Sequence, residues 1–261
     1  MAAQRDLSSG RTNLIEGCFY GRMMGGVGNL GRIGRGVLDL ILFTYLINLV
    51  FMKVLVVNGS PHINGCTARG LSEVERMLND LGVETERLNV GTKDIRGCIG
   101  CGFCREHGRC VFNDMVNETA PKLAEADGLI VGSPVYYAGA NGQLLAFLDR
   151  LFYSTAGTVN KTMKVGAAVV SSRRAGSTSA FDEINKYFTI SAMPIVSSTY
   201  WNEVHGFTAA DVEDDKEGLQ TMRNLAKNMA FLLKGIALAR NEEGSVPQQE
   251  RQAFTNFHVE S

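Results

Sequence analysis

The stretch Cys98-Ile-Gly-Cys101-Gly-Phe-Cys104-Arg-Glu-His-Gly-Arg-Cys110 places four of the chain's six cysteines in the spacing C-x2-C-x2-C-x5-C. Three closely spaced thiols with small residues between them can wrap one corner of a 4Fe-4S cube, and a fourth completes the set. Four thiolates also satisfy zinc by count. A cysteine-rich loop without metal is the third reading. The Cys-Pro ending of bacterial ferredoxins is absent, but a single cluster does not need it. A secreted disulfide scaffold would be smaller and would spread its cysteines more widely. The cluster therefore points to metal or redox chemistry in a reducing compartment, and the expected location is the cytoplasm.

Three further segments carry groups that could hold an anionic or flat ligand. Gly59-Ser60-Pro61-His62-Ile63-Asn64-Gly65-Cys66-Thr67 offers hydroxyls, an amide and the expected start of a helix. A helix N-terminus presents free N–H groups and partial positive charge, so it can take phosphate without a lysine. The plain alternative is a strand-to-helix turn capped by Thr67. No G-x-x-x-x-G-K-[ST] occurs, which argues against a nucleoside triphosphatase. No cysteine has an arginine six positions later, so a tyrosine-phosphatase-like loop is absent too. Gly132-Ser133-Pro134-Val135-Tyr136-Tyr137-Ala138-Gly139 combines a direction-fixing proline with glycines that permit close backbone approach. Its tyrosines suit packing beside a ring system, or plain core packing. Ser171-Ser172-Arg173-Arg174-Ala175-Gly176-Ser177 places two arginines where they could take a phosphate of a nicotinamide cofactor; a solvated loop is the simpler reading for at least one. The stretch Tyr200–Gly206 holds the single tryptophan and lies over the same site or in a subunit contact. His62, His107 and His205 are isolated, and no residue is assigned acid–base catalysis.

These segments need strand ends to carry them. Lys53–Asn58 reads as a continuously apolar strand, the pattern of a parallel sheet buried on both faces. Thr67–Leu81 has Leu71, Val74, Leu78 and Leu81 on one helical face. Further strands are expected at Glu84–Val90, Gly128–Gly132, Met163–Ser171 and Pro194–Ser198. Helices are expected at Val116–Ala126, Gly142–Phe152, Ser179–Ile190 and Gly218–Arg240. Strand–helix alternation with right-handed crossovers gives a doubly wound parallel sheet. Ligands of such sheets bind beyond the carboxyl ends of the strands, where the three loops fall.

Residues 1–51 differ in character. A glycine- and arginine-rich stretch precedes an apolar run, Val37–Phe51, that is shorter than the roughly 20 residues of a membrane span. Gly26-Val27-Gly28-Asn29-Leu30-Gly31 spells G-x-G-x-x-G, but no convincing strand precedes it, so a chance match fits better. The expectation is an N-terminal extension over 1–51, either upstream of the natural start at Met52 or weakly membrane-associating. The main domain then covers 52–240 and a polar tail 241–261. The composition is 45% hydrophobic and 20% charged, with a formal net charge of -1. That balance suits one sizeable core and gives no attraction to nucleic acid or anionic lipid.

These segments also carry a resemblance. Met52 to about Phe152 resembles the NADPH-dependent FMN reductase family, in particular its iron–sulfur flavoprotein-like branch. The opening MKVLVVNGSPHINGCTARGL is similar to that family's phosphate loop, G-S-P-R-x-x-G-N-T. Ser60 and Thr67 match, His62 stands where arginine is usual, and Cys66 where asparagine is usual. GSPVYYAGANGQLLAFLDRLF resembles the family's second flavin loop and the helix behind it. The likeness weakens after Thr158 but takes in SSRRAGSTSAFDEINKYF and Tyr200–Gly206; it does not reach residues 1–51. The cysteine spacing is similar to the compact cluster motif of iron–sulfur flavoproteins, with Cys98, Cys101, Cys104 and Cys110 as the ligand set.

The resemblance implies a flavodoxin-like five-stranded sheet of order 2-1-3-4-5 with FMN at the strand ends. Its phosphate would sit on Ser60, Asn64 and Thr67, with His62 and Cys66 in the same binding loop. Its ring would lie against Pro134, Val135, Tyr136 and Gly139. NAD(P)H would be the co-substrate, near Arg173 and Arg174, and a small molecule the electron acceptor. A homodimer or homotetramer is implied as well. Two other classes remain open: a flavodoxin-like electron carrier, against which the size and weak acidity of the chain argue, and a redox or metal sensor built on the cysteine loop.

Overall fold

The computed structural model describes residues 51–250 and 253. The extension expected over 1–51 lies outside the described residues as far as residue 50, as does the tail after 250 apart from Ala253.

Two strands form the centre of the sheet. β1 (Met52–Asn58) pairs in parallel with β3 (Gly128–Tyr136). β2 (Val83–Asn89) flanks β1, β5 (Val165–Ser172) flanks β3, and β6 (Glu203–His205) lies at the far edge. β4 (Gly139–Ala140) folds back antiparallel on the end of β3. Counting only the parallel strands, the order is 2-1-3-4-5, the flavodoxin-like arrangement expected.

Helices cover both faces. α1 (Cys66–Asp80) and α7 (Lys216–Glu243) lie on one side. α3 (Met115–Glu125), α4 (Gly142–Ser154) and α5 (Ser177–Thr189) lie on the other. The short α2 (Phe103–His107) and α6 (Asp211–Asp214) belong to connections. Alternating side chains of β1 serve the two cores. Val54 and Val56 meet Leu71, Val74 and Leu78 of α1, while Leu55 and Val57 meet Leu144, Phe147 and Leu148 of α4. All of these are fully buried, and each contributes about 1.5–3 kcal/mol of transfer free energy.

The structure corrects the expected elements in three places. β3 does not stop at Gly132 but continues through Tyr136, because Ser133 and Pro134 pair with β5 and Val135 and Tyr136 turn back onto β4. The fifth strand is not Pro194–Ser198. That segment makes a single bridge at Ile195, with Val196 N–H donating to Gly166 O at 2.9 Å. Its following polar groups are taken by α7 instead of the ladder: Ser198 Oγ donates to Thr221 O, and Asn228 Nδ2 donates to Ser197 O. The edge resumes when Val170 N–H donates to Asn202 O, so the strand falls at Glu203–His205, inside the Tyr200–Gly206 stretch. The closing helix also runs past Arg240 to Glu243, ending at Gly244 with φ 72°.

Candidate functional site

The chain leaves β1 toward β2 and leaves β3 toward β5, so the sheet reverses direction between β1 and β3. The loops after these two strands meet there, joined by Gly59 N–H donating to Gly132 O at 2.8 Å. The first loop is shaped by its own polar groups. Asn58 donates to Asn89 Oδ1 at 3.0 Å and accepts from Ser60 N–H at 3.1 Å. Ser60 Oγ accepts from His62 N–H at 3.1 Å, and His62 O accepts from Gly65 N–H at 3.1 Å. Gly91, after β2, packs directly against this loop; a Cβ there would collide with the carbonyl of Gly59 and with Ser60.

The helix behind the loop is left open. Gly65 precedes α1 and supplies no side-chain cap, and the first turn holds no acidic residue. Among the described residues no protein group accepts from the N–H groups of Cys66, Thr67 or Ala68. Thr67 is therefore not the cap the sequence suggested. It lies inside the helix, 1% exposed, with Oγ1 2.7 Å from Ser171 Oγ of β5. Cys66 Sγ donates to Gly206 O at 3.4 Å, and burial pushes its thiol pKa up. A neutral thiol there adds no negative charge to the site. The contrast with α4 is direct: Asn141 Oδ1 accepts from Gln143 N–H and Leu144 N–H and closes that helix.

An open cleft of about 690 Å³ lies over these strand ends, within the range of small-molecule and cofactor sites. Ser60, His62, Asn64, Cys66, Thr67, Pro134, Val135, Tyr136 and Arg173 all line it. Gly139 and Arg174 do not. Gly139 lies in the β3–β4 hairpin, where Ala140 N–H is held by Glu183 at 2.9 Å, and Arg174 points into solvent. The hairpin turns on Tyr137 and Ala138, at φ 50° and 60°, a left-handed pair that L residues adopt at a cost. Gly176, at φ 91°, lets the next loop approach Ala138. Sequence reasoning missed the cleft's outer wall, Phe207, Thr208 and Ala209, because no pattern marks residues brought in by a sheet-edge strand. It also left Ser172 unassigned. The Ser172 hydroxyl is buried with no partner in the protein and lines the cleft.

The four cysteines surround one small cavity of about 20 Å³ on the far part of α4, beside Arg150, Tyr153 and Ser154. Among the described residues no three His, Cys, Asp or Glu side chains stand together as ligands of one ion. Four thiols lining one cavity are, by donor chemistry, a ligand set for a cluster or for zinc. Gly100, Gly102 and Gly108 take positive φ around it, at 64°, 75° and 66°.

The sheet, with its cleft at the switch point, defines a flavodoxin-like protein. Residues 52–208 match the NADPH-dependent FMN reductase family, to which the chain belongs. It is 36% identical over 192 residues to an iron–sulfur flavoprotein of Methanocaldococcus jannaschii, covering 71% of this chain and 99% of that one. An iron–sulfur flavoprotein of Methanosarcina thermophila is 29% identical over 193 residues, 73% of this chain and 100% of that one. Among solved structures, RosB with a bound riboflavin-5'-phosphate derivative aligns with TM-score 0.56 at 13% identity, over 80% of this chain and 94% of that one, a likeness of fold. The uncapped α1 N-terminus and the orphaned Ser172 hydroxyl fit FMN, the cofactor of the family. The chain is an FMN-dependent oxidoreductase. Among the described residues no helix is long and apolar enough to cross a membrane.

Proposed function

We propose that the protein is an NAD(P)H-dependent FMN oxidoreductase that carries a 4Fe-4S cluster on Cys98, Cys101, Cys104 and Cys110. The observation that carries the flavin site is the open start of α1 meeting the partnerless Ser172 hydroxyl in one cleft. The free N–H groups of Cys66, Thr67 and Ala68, with the Ser60 and Thr67 hydroxyls and Asn64, hold the phosphate. Pro134, Val135 and Tyr136 form a wall for the ring, and the Glu183-held hairpin fixes that wall in place. Bound there, the flavin supplies hydride acceptance and release of electrons in pairs or singly. The protein's part is binding, orientation and exclusion of water.

Arg173 stands at the cleft, and α5 beyond it starts at Gly176 without a side-chain cap or an acidic first turn. Both features favour a phosphate group of the nicotinamide substrate, with Arg174 assisting from solvent. The cysteines lie about ten residues along α4 from its cleft end, roughly 15 Å at 1.5 Å per residue. That distance favours electron exchange with a small acceptor or with a neighbouring subunit's flavin over direct contact within one chain. Exposed Tyr136, Tyr137 and Phe207 around the mouth suit burial in a homodimer or homotetramer. We infer a cytoplasmic location from the close cysteine spacing, which suits metal or redox chemistry in a reducing compartment.

Anaerobic steady-state assays with NADPH or NADH and a quinone acceptor test this reading. Saturable turnover well above that of free FMN is the expected result. A rate equal to that of free FMN would sink it and leave a pure electron carrier.

A further inference from the structure

Arg150 is the largest fully buried side chain among the described residues, 1% exposed. A buried guanidinium is costly unless every donor is used. Nη1 donates to Asp114 Oδ2 at 2.7 Å and to Arg96 O at 3.1 Å. Nη2 donates to Asp114 Oδ1 at 2.9 Å and to Cys110 Sγ at 3.2 Å. Nε donates to the same sulfur at 3.2 Å. Asp114 and the Arg96 carbonyl thus take three of the five N–H groups, and the other two converge on one cysteine. The Phe112 ring lies 4.9 Å from the guanidinium carbon.

Cys110 is also fixed through its backbone. Its N–H donates to Asn117 Oδ1 at 2.9 Å, and its carbonyl accepts from Asn117 Nδ2 at 3.0 Å. Cys98 and Cys101 are exposed, and among the described residues no donor reaches the sulfur of Cys98, Cys101 or Cys104.

We propose that Arg150 is the positioning residue of the cysteine site, presenting Cys110 Sγ as the pre-set ligand and stabilising the reduced state of the cluster held there. The proposal rests on the cluster reading above. One-electron reduction adds a negative charge to the site. A fixed guanidinium and two N–H donors on a ligand sulfur favour the more negative state, so they raise the potential.

The test is an EPR-monitored dithionite titration of the full chain and its Arg150 variants, with iron, sulfide and FMN counted per chain. R150Q with its iron retained should shift the cluster's one-electron equilibrium about tenfold toward the oxidised state, or about 59 mV. R150K keeps the charge but not the fork and should shift less, and the flavin potential should not move in either. An iron-replete variant with an unmoved cluster potential would overturn the proposal. If neither Arg150 variant assembles iron, D114E carries the test, since it keeps the carboxylate charge but displaces the guanidinium fork that Asp114 holds; a downward shift supports the proposal and none overturns it. A wild-type chain without iron after anaerobic reconstitution would overturn the cluster reading and this proposal with it, a result distinct from an iron-replete protein whose potential stays put.

Discussion

The cleft and the cysteine loop sit toward opposite ends of α4 and are built by opposite means. The cleft is assembled from strand ends and buried polar side chains: Asn58, Ser60, Thr67 and Ser171 are at most 5% exposed and bonded to one another or to the backbone. The loop from Val90 to Asp114 has only the five-residue α2 for regular structure. Two of its four expected ligands lie in solvent, and it is held mainly through Arg150 and Asn117. Preformed sites cost little on binding, whereas a loop whose ligands must gather takes much of its order from the group it binds.

The sharpest way to break this comparison is to remove ligands from the loop alone. Changing Cys98 and Cys101 together to serine should abolish iron incorporation while FMN affinity stays within about twofold. A parallel collapse of FMN binding would mean the two regions are not independent. The reverse experiment fills the close approach behind the phosphate loop. Gly91→Val should weaken FMN binding about 5- to 150-fold by isothermal titration, because overpacking that forces backbone shifts costs about 1–3 kcal/mol. Its iron content should hold.

Glu73 tests how far α1 is anchored from behind. It is buried and accepts from Arg69 at 3.1 Å, Arg76 at 2.9 Å and Arg223 of α7 at 2.8 Å. Burial opposes its charge, but hydrogen bonds from Arg223, Arg76 and Arg69 outweigh that and bring its pKa down to about 2. A folded pKa below the unfolded value means stability that is present above about pH 4.5 and lost as pH falls toward 2. Glu73→Gln should lose on the order of 1–3 kcal/mol at pH 7 and show a flatter decline across that window in urea melts. An unchanged slope would show that the arginines contribute nothing through this carboxylate. The smallest effect is expected at Thr67→Val. Losing its hydroxyl contact with Ser171 costs about 1 kcal/mol of stability, read in urea melts.

Much of the sheet was legible because its strands are buried on both faces and its helices keep one apolar stripe. Leu71, Val74 and Leu78 pointed inward as the spacing required. The place of the Ser60–Thr67 loop at the cleft was legible for a local reason: a helix start and its preceding turn are adjacent in sequence. What failed was non-local. Pro194–Ser198 looks like a strand, but α7, some twenty or more residues later, captures its polar groups. The Phe207–Ala209 wall follows from where the edge strand resumes, which no pattern announces. Arg150 had a faint signal, a charged residue flanking the stripe of Leu144, Phe147, Leu148 and Leu151. Its partners Cys110 and Asp114 lie 40 and 36 positions away, so the pairing could be seen only in the fold.

The most direct test of the account is the visible absorbance spectrum of the full chain purified without oxygen, with FMN added back to any unoccupied fraction. The account predicts flavin bands on a broad iron–sulfur absorbance, with near one FMN per chain. A protein that shows no flavin bands even after FMN is supplied would contradict the central claim that the Ser60–Thr67 cleft is an FMN site.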